Sequence, residues 1–206
     1  MSRSSKGTCE LCKRQTTKSQ MTRHVAVCAP EHDSSGPREP IVQVRVDADG
    51  DPRYWLYLEA RANAPLTQLD SHLRRIWLEC CGHMSGFRVG SSELSMRTRI
   101  GALPGSGGRF SYEYDYGSTT ALVGQVIDTR VGSLGRTSVR LVPRNDPLDW
   151  RCAKCTDPAM VVCPFCIHDD DCLFCEPHAR DHPCAKEEAY LTVVNSPRMG
   201  VCAYAG

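Results

Sequence analysis

The chain has 206 residues, 41% of them apolar and 24% charged, with a formal net charge of +1. That length holds one ordinary domain with one or two small modules, and the composition excludes wholesale disorder. The near-neutral charge excludes a strongly basic nucleic-acid coat or a polyanionic tail, and no apolar run reaches the roughly 18 residues of a membrane span.

The opening MSRSSKGTCELC lacks the apolar run of a secretory leader, so a cytoplasmic setting with no membrane partner is expected. Thiols stay reduced there. Against that background, 13 Cys and 7 His stand out. An odd number cannot all pair as disulfides, and clustered cysteines in a reducing compartment read as metal ligands. They gather at the two ends, with only Cys80 and Cys81 between residues 29 and 151. The implied map is a zinc finger over 1–30, a linker over 31–40, a body over 41–149, a two-zinc module over 150–186 and a docking tail over 187–206.

The first module reads Cys9-x2-Cys12-x11-His24-x3-Cys28, a CCHC-type finger. The Cys-x2-Cys turn brings two thiolates together, and His24 and Cys28 share one helix face, which completes a tetrahedral set. Ser19 is the expected N-cap, and Met21 and Val25 should face inward. The large aromatic usual between the second Cys and the helix is missing, with Thr16 near that place. Such a mini-core leans on metal for folding. Six cations stand against Glu10 alone in residues 1–30, and Lys13, Arg14, Lys18 and Arg23 are candidates to touch nucleic acid. A solvated basic face on a structural knob is the plainer alternative.

Residues 31–40 are rich in Pro, Gly and Ser and read as a linker, with His32 solvated. In the body, IVQVRVDA and RYWLYLEA form a hairpin across the DGDP turn. Thr67-x-x-Asp70 offers a capping box for an amphipathic helix carrying Leu69, Leu73, Ile76 and Trp77 and stopping at Gly82. Strands follow at 86–90, 109–116, 119–130 and 138–143. GALPGSGGR (101–109) lacks the Lys-Ser/Thr of a phosphate loop and reads as a turn. The fold class is thus α+β, a mostly antiparallel sheet with one main amphipathic helix, flanked by two small zinc modules.

Cys80, Cys81 and His83 at the helix end allow a thiolate nucleophile or a partial ligand set. The plainer reading packs Cys80 behind Trp77 and leaves Cys81 and His83 to finish the helix. Glu113 and Asp115 should share one strand face, as an acid–base pair, a cation site or a wet surface, unless Asp115 caps the Gly117 turn.

The segments LRRIWLECCGHMSGF (73–87), FSYEYDYGSTT (110–120) and VVNSPRMGVCAY (193–204) resemble the plasmid pRiA4b ORF-3-like family, which includes TnpR-type passenger proteins of insertion sequences. The resemblance spans roughly 41–206. It implies an α+β body, draws interest to Asp115 through a YDFG-like motif, and supplies no recombinase chemistry.

The C-terminal run pairs Cys152 with Cys155, Cys163 with Cys166, Cys175 with His178, and His182 with Cys184. A cross-brace puts Cys152, Cys155, Cys175 and His178 on one zinc and Cys163, Cys166, His182 and Cys184 on a second. Cys172 and His168 are spares, and Cys202 in the tail is expected to be buried rather than a ligand. Three Zn2+ ions in all are expected, and no organic cofactor. With two ions bound the module carries about −4, which repels phosphate and suits a protein partner. The favoured function is a non-enzymatic zinc-binding adaptor. An enzyme with a cleft around Cys81, His83 and Asp115, or a homo-oligomeric scaffold with purely structural zinc, are the alternatives.

Overall fold

The computed structural model describes residues 5–167, 171–187 and 190–206. His168, the spare histidine of the C-terminal run, lies outside them, as do Arg3 of the basic N-terminal segment and the acidic Asp169 and Asp170.

The finger opens with β1 (Lys6–Cys9), β2 (Gln15–Thr17) and α1 (Lys18–Glu31). The body continues through β3 (Glu39–Ala48), β4 (Trp55–Arg61), α2 (Leu66–Leu73), β5 (Ser85–Val89), β6 (Ser92–Leu94), β7 (Arg109–Tyr114), β8 (Thr120–Gly132) and β9 (Val139–Asn145). One antiparallel nine-stranded sheet takes the order β2-β1-β9-β4-β3-β8-β7-β5-β6. The finger is therefore no detached knob. Its β1 pairs with β9, Gly7 opposite Asn145 and Cys9 opposite Pro143, so it forms the edge of the body's own sheet.

Alternation along β4 explains how both faces are covered. Leu56, Leu58 and Ala60 join a core with Leu66, Leu69, Leu73 and Trp77 on one face. Trp55 and Tyr57, a residue out of phase, join Met21, Val25 and Cys28 of α1 on the other. The missing finger aromatic is thus supplied by the body. Trp55 lies so close over β1 that a Cβ on Gly7 would come within 2.4 Å of its ring.

Several local expectations shift for identifiable reasons. Thr17, not Ser19, is the N-cap of α1, and Pro30 lies inside its last turn. The proposed linker shrinks to 32–38 and is tied down, Ser34 N donating to Ser133 O and Arg130 pairing with Asp33. No capping box forms on α2, because Pro65 occupies the N-cap. Asp70 instead accepts from Arg74, Ser85 and Tyr112. Helix α2 passes into a π-helical turn over Arg74–Leu78, which turns Trp77 and Leu78 inward, and Glu79 is extended. The helix thus stops before Gly82.

The last part has a separate three-stranded sheet in the order β11-β10-β12, built from β10 (Val161–Val162), β11 (Leu173–Phe174) and β12 (Leu191–Thr192), with α3 (Glu176–Arg180) beside it. The tail then returns to the body. Asn195 Oδ1 accepts from Asn145, Ser196 Oγ donates to Trp77 O at 2.5 Å, and Arg198 is fully buried. Among the described residues, no helix is long and apolar enough to cross a membrane.

Candidate metal centres

In the finger, β1 ends on Cys9 and a tight turn follows, Lys13 N donating to Cys9 O with Lys13 in the left-handed region at φ 62°. The turn points Cys12 back toward α1, where His24 and Cys28 lie one helical turn apart. Cys12 Sγ is 3.3 Å from His24 Nε2, and Cys9 Sγ is 3.9 Å from Cys28 Sγ. All four ligand atoms fall within 4.8 Å of one another.

The C-terminal run forms two further groups, in the alternating pattern of a cross-brace. Cys152, Cys155, Cys175 and His178 converge, with Cys155 3.7 Å from Cys175, and His178 Nδ1 3.2 Å from Cys175 and 3.4 Å from Cys152. Cys163, Cys166, His182 and Cys184 converge likewise, Cys166 lying 4.0 Å from Cys184 and 3.5 Å from His182 Nε2. Burial and the neighbouring Cys12 thiol push Cys28 up to about 12, and burial with Cys163 pushes Cys166 up to about 12. Crowded thiols resist losing their protons together unless a cation compensates.

A fourth group differs from expectation. Cys80, Cys81 and His83 are joined by Cys202 from the tail, again within 4.8 Å. Cys202 is exposed, not buried, and Cys80 faces its neighbours at the helix end as well as the core. The spacing Cys-Cys-x-His showed three of these residues. Nothing local could show the fourth, because the tail must first dock.

The donor sets fit a tetrahedral ion. Thiolates bound at about 2.3 Å with tetrahedral angles are about 3.8 Å apart, and a thiolate and an imidazole about 3.6 Å apart. The sulfur separations of 3.7–4.0 Å match, the sulfur–nitrogen separations of 3.0–3.5 Å are somewhat shorter, and the sulfur separations exclude disulfides between these pairs, whose sulfurs are about 2.05 Å apart. Four Cys/His groups that could hold metal therefore occur among the described residues, where three ions were expected.

The remaining candidates separate. Asp115 leaves the strand at φ 64° and caps the following turn, accepting from Gly117 N and Ser118 N, so it does not pair with Glu113. Arg198, bonding its Oδ2 at 2.6 Å, holds its carboxyl down to about 2. Cys81 Sγ lies 3.0 Å from His83 Nε2, and His83 Nδ1 lies 3.4 Å from Asp115 Oδ1. Lys18 is taken by Asp47 at 2.7 Å and Lys13 by Glu10 at 2.7 Å. Arg14 and Arg23 instead border an open groove of about 590 Å³ beside His24, with Gln20 and Glu31. His32 Nδ1 contacts Cys28 O at 2.9 Å, so it is not simply solvated.

No protein-family model and no curated protein matches the sequence. Among solved structures, a protein of unknown function from Methanosarcina mazei Go1 is similar over 50% of this chain and 67% of its own, at 12% identity and a TM-score of 0.44.

Proposed function

We propose that the chain is a zinc-binding, non-enzymatic adaptor of the pRiA4b ORF-3-like kind, its finger and C-terminal cross-brace riveted by three Zn2+ ions. The observation that carries this reading is closure. Each set brings four Cys or His ligand atoms within 4.8 Å, a full tetrahedral complement that leaves no seat for substrate or water. Such ions stabilise and shape surfaces.

The surfaces differ in character. Around the C-terminal ions, Asp157, Asp171, Glu176 and Asp181 are exposed, as are Met160 and Phe165 at 55% and 60%. Acidic groups with exposed apolar side chains suit a protein partner and repel phosphate. At the finger the basic contact surface reduces to Arg14 and Arg23, beside the groove. Nucleic acid is the candidate partner there.

Charge reversal tests this better than truncation, because residues 6–17 are sheet edge. Zinc-loaded protein should bind duplex DNA or RNA at low salt, and the Arg14→Glu/Arg23→Glu variant should lose that binding, the wild type's log–log salt slope reflecting about two phosphate contacts. Absence of binding at low salt removes the nucleic-acid part.

A second reading, an enzyme using Cys81, His83 and Asp115, is favoured by the Cys81–His83–Asp115 alignment. Cys80 and Cys202 crowd the same point, which supports a ligand set over a nucleophile. Rapid alkylation of Cys81 in the zinc-loaded protein supports the enzyme; protection supports the ligand set.

A further inference from the structure

We propose that Cys80, Cys81, His83 and Cys202 hold a fourth divalent ion of zinc's class, and that this ion locks the C-terminal tail onto the body. Unlike the other three sets, this one joins distant segments: His83 and Cys202 are 119 residues apart. Cys81 Sγ is 3.8 Å from Cys80 Sγ and 3.7 Å from Cys202 Sγ, while His83 Nε2 is 3.0 Å from Cys81 and 3.2 Å from Cys202. Three soft sulfurs and one imidazole in that arrangement select a zinc-class ion over a hard cation.

Two features outside the ligand set support the site. The carboxylate of Asp115 stands on the far side of the imidazole from the sulfurs, where a metal-bound histidine needs an acceptor for its other ring nitrogen. That carboxylate is itself fixed by Arg198 and two backbone amides, which sets its position 3.4 Å from the ring. The tail also bends sharply to deliver its thiol. Cys202 and Ala203 are both left-handed, at φ 49° and 54°, a costly conformation for side-chain-bearing residues that surrounding contacts must hold.

None of the four ligands is buried, whereas each other set contains at least one buried cysteine. This ion is therefore the first that a chelator reaches, and its loss frees the tail turn without opening a core.

Native mass spectrometry with metal analysis on full-length, reduced, zinc-loaded protein tests the proposal. The wild type should carry one ion more than Cys202→Ser, and one more than Cys81→Ser, at unchanged far-UV circular dichroism. A stepwise chelator titration should remove that ion first, and protease should then cut within 199–206, beyond the Arg198 anchor. An unchanged ion count in both variants overturns the proposal, as does a Cys81–Cys202 disulfide in the metal-loaded, reduced protein. The readout is a difference of one ion between proteins, so incomplete loading of the other three sites affects that reading alone.

Discussion

Arg198 and Asp115 form a buried ion pair across 83 residues of sequence, Nη2 to Oδ2 at 2.6 Å. The same guanidinium donates to Ser118 O and Thr120 Oγ1 at 3.1 Å each, and its Cζ lies over the Tyr114 ring, 4.8 Å from the ring centre. The tail therefore enters the body as a plug. Arg198→Ala should release it, seen as rapid limited proteolysis after residue 192 with the sheet's circular dichroism retained. Arg198→Lys should rescue little, because an ammonium cannot reproduce the planar fork. Equal protease resistance in all three proteins would refute the plug.

Glu59 is fully buried beneath α1, with Arg130 Nε at 2.5 Å and Arg140 Nη2 at 2.6 Å, while Arg140 also caps the helix end through Ala29 O and His32 O. Glu59→Gln removes the buried carboxylate that Arg130 and Arg140 share and leaves Asp33 as their remaining acidic partner, and it should cost about 3–5 kcal/mol in denaturant unfolding.

The same carboxylate sets an acid limit. Burial pushes its pKa up, but hydrogen bonds from Arg130 and Gln43 and the charge of Arg140 outweigh burial and hold it below the ordinary value. Its contribution is complete above the unfolded carboxylate value and fades as pH falls through the lower folded one. Stability measured below about pH 4 should fall more steeply for wild type than for Glu59→Gln.

Trp55 joins finger to body, packing over Gly7 and beside Met21 and Val25. Trp55→Ala should cost about 3–5 kcal/mol. Hydrogen exchange should accelerate in β1 and α1 more than in β7 and β8. Uniform acceleration would mean that the finger does not open separately.

Metal removal should act unevenly. The C-terminal core consists mainly of the ligands, Cys152, Cys163 and Cys175 with Phe174 and Ala179, beside strands of only two residues. Structural zinc supplies on the order of 10 kcal/mol of folding free energy, which little else there replaces. Excess chelator should abolish amide protection over 150–167 and 171–187 and spare β3, β4 and β8, which pack a metal-free core.

The three ligand sets at the ends were legible because their pairs are two to four residues apart, within the reach of one turn of backbone. Thus Cys9 with Cys12 and Cys152 with Cys155 could be paired by spacing alone. The body's strands were legible for a similar reason: alternation from Ile41 to Ala60 reports pleat and burial together. Gln43 and Glu59 are nonetheless buried, and nothing in those strands says that α1 will cover them. Likewise Thr16 could not announce that Trp55 fills the gap in the finger. Cys202 as a neighbour of Cys81, and Arg198 as the partner of Asp115, depended wholly on where the tail docks. Local spacing determines which groups can share an ion or a face; only the closing of long loops decides which distant groups meet, because that choice belongs to the packing of the whole chain.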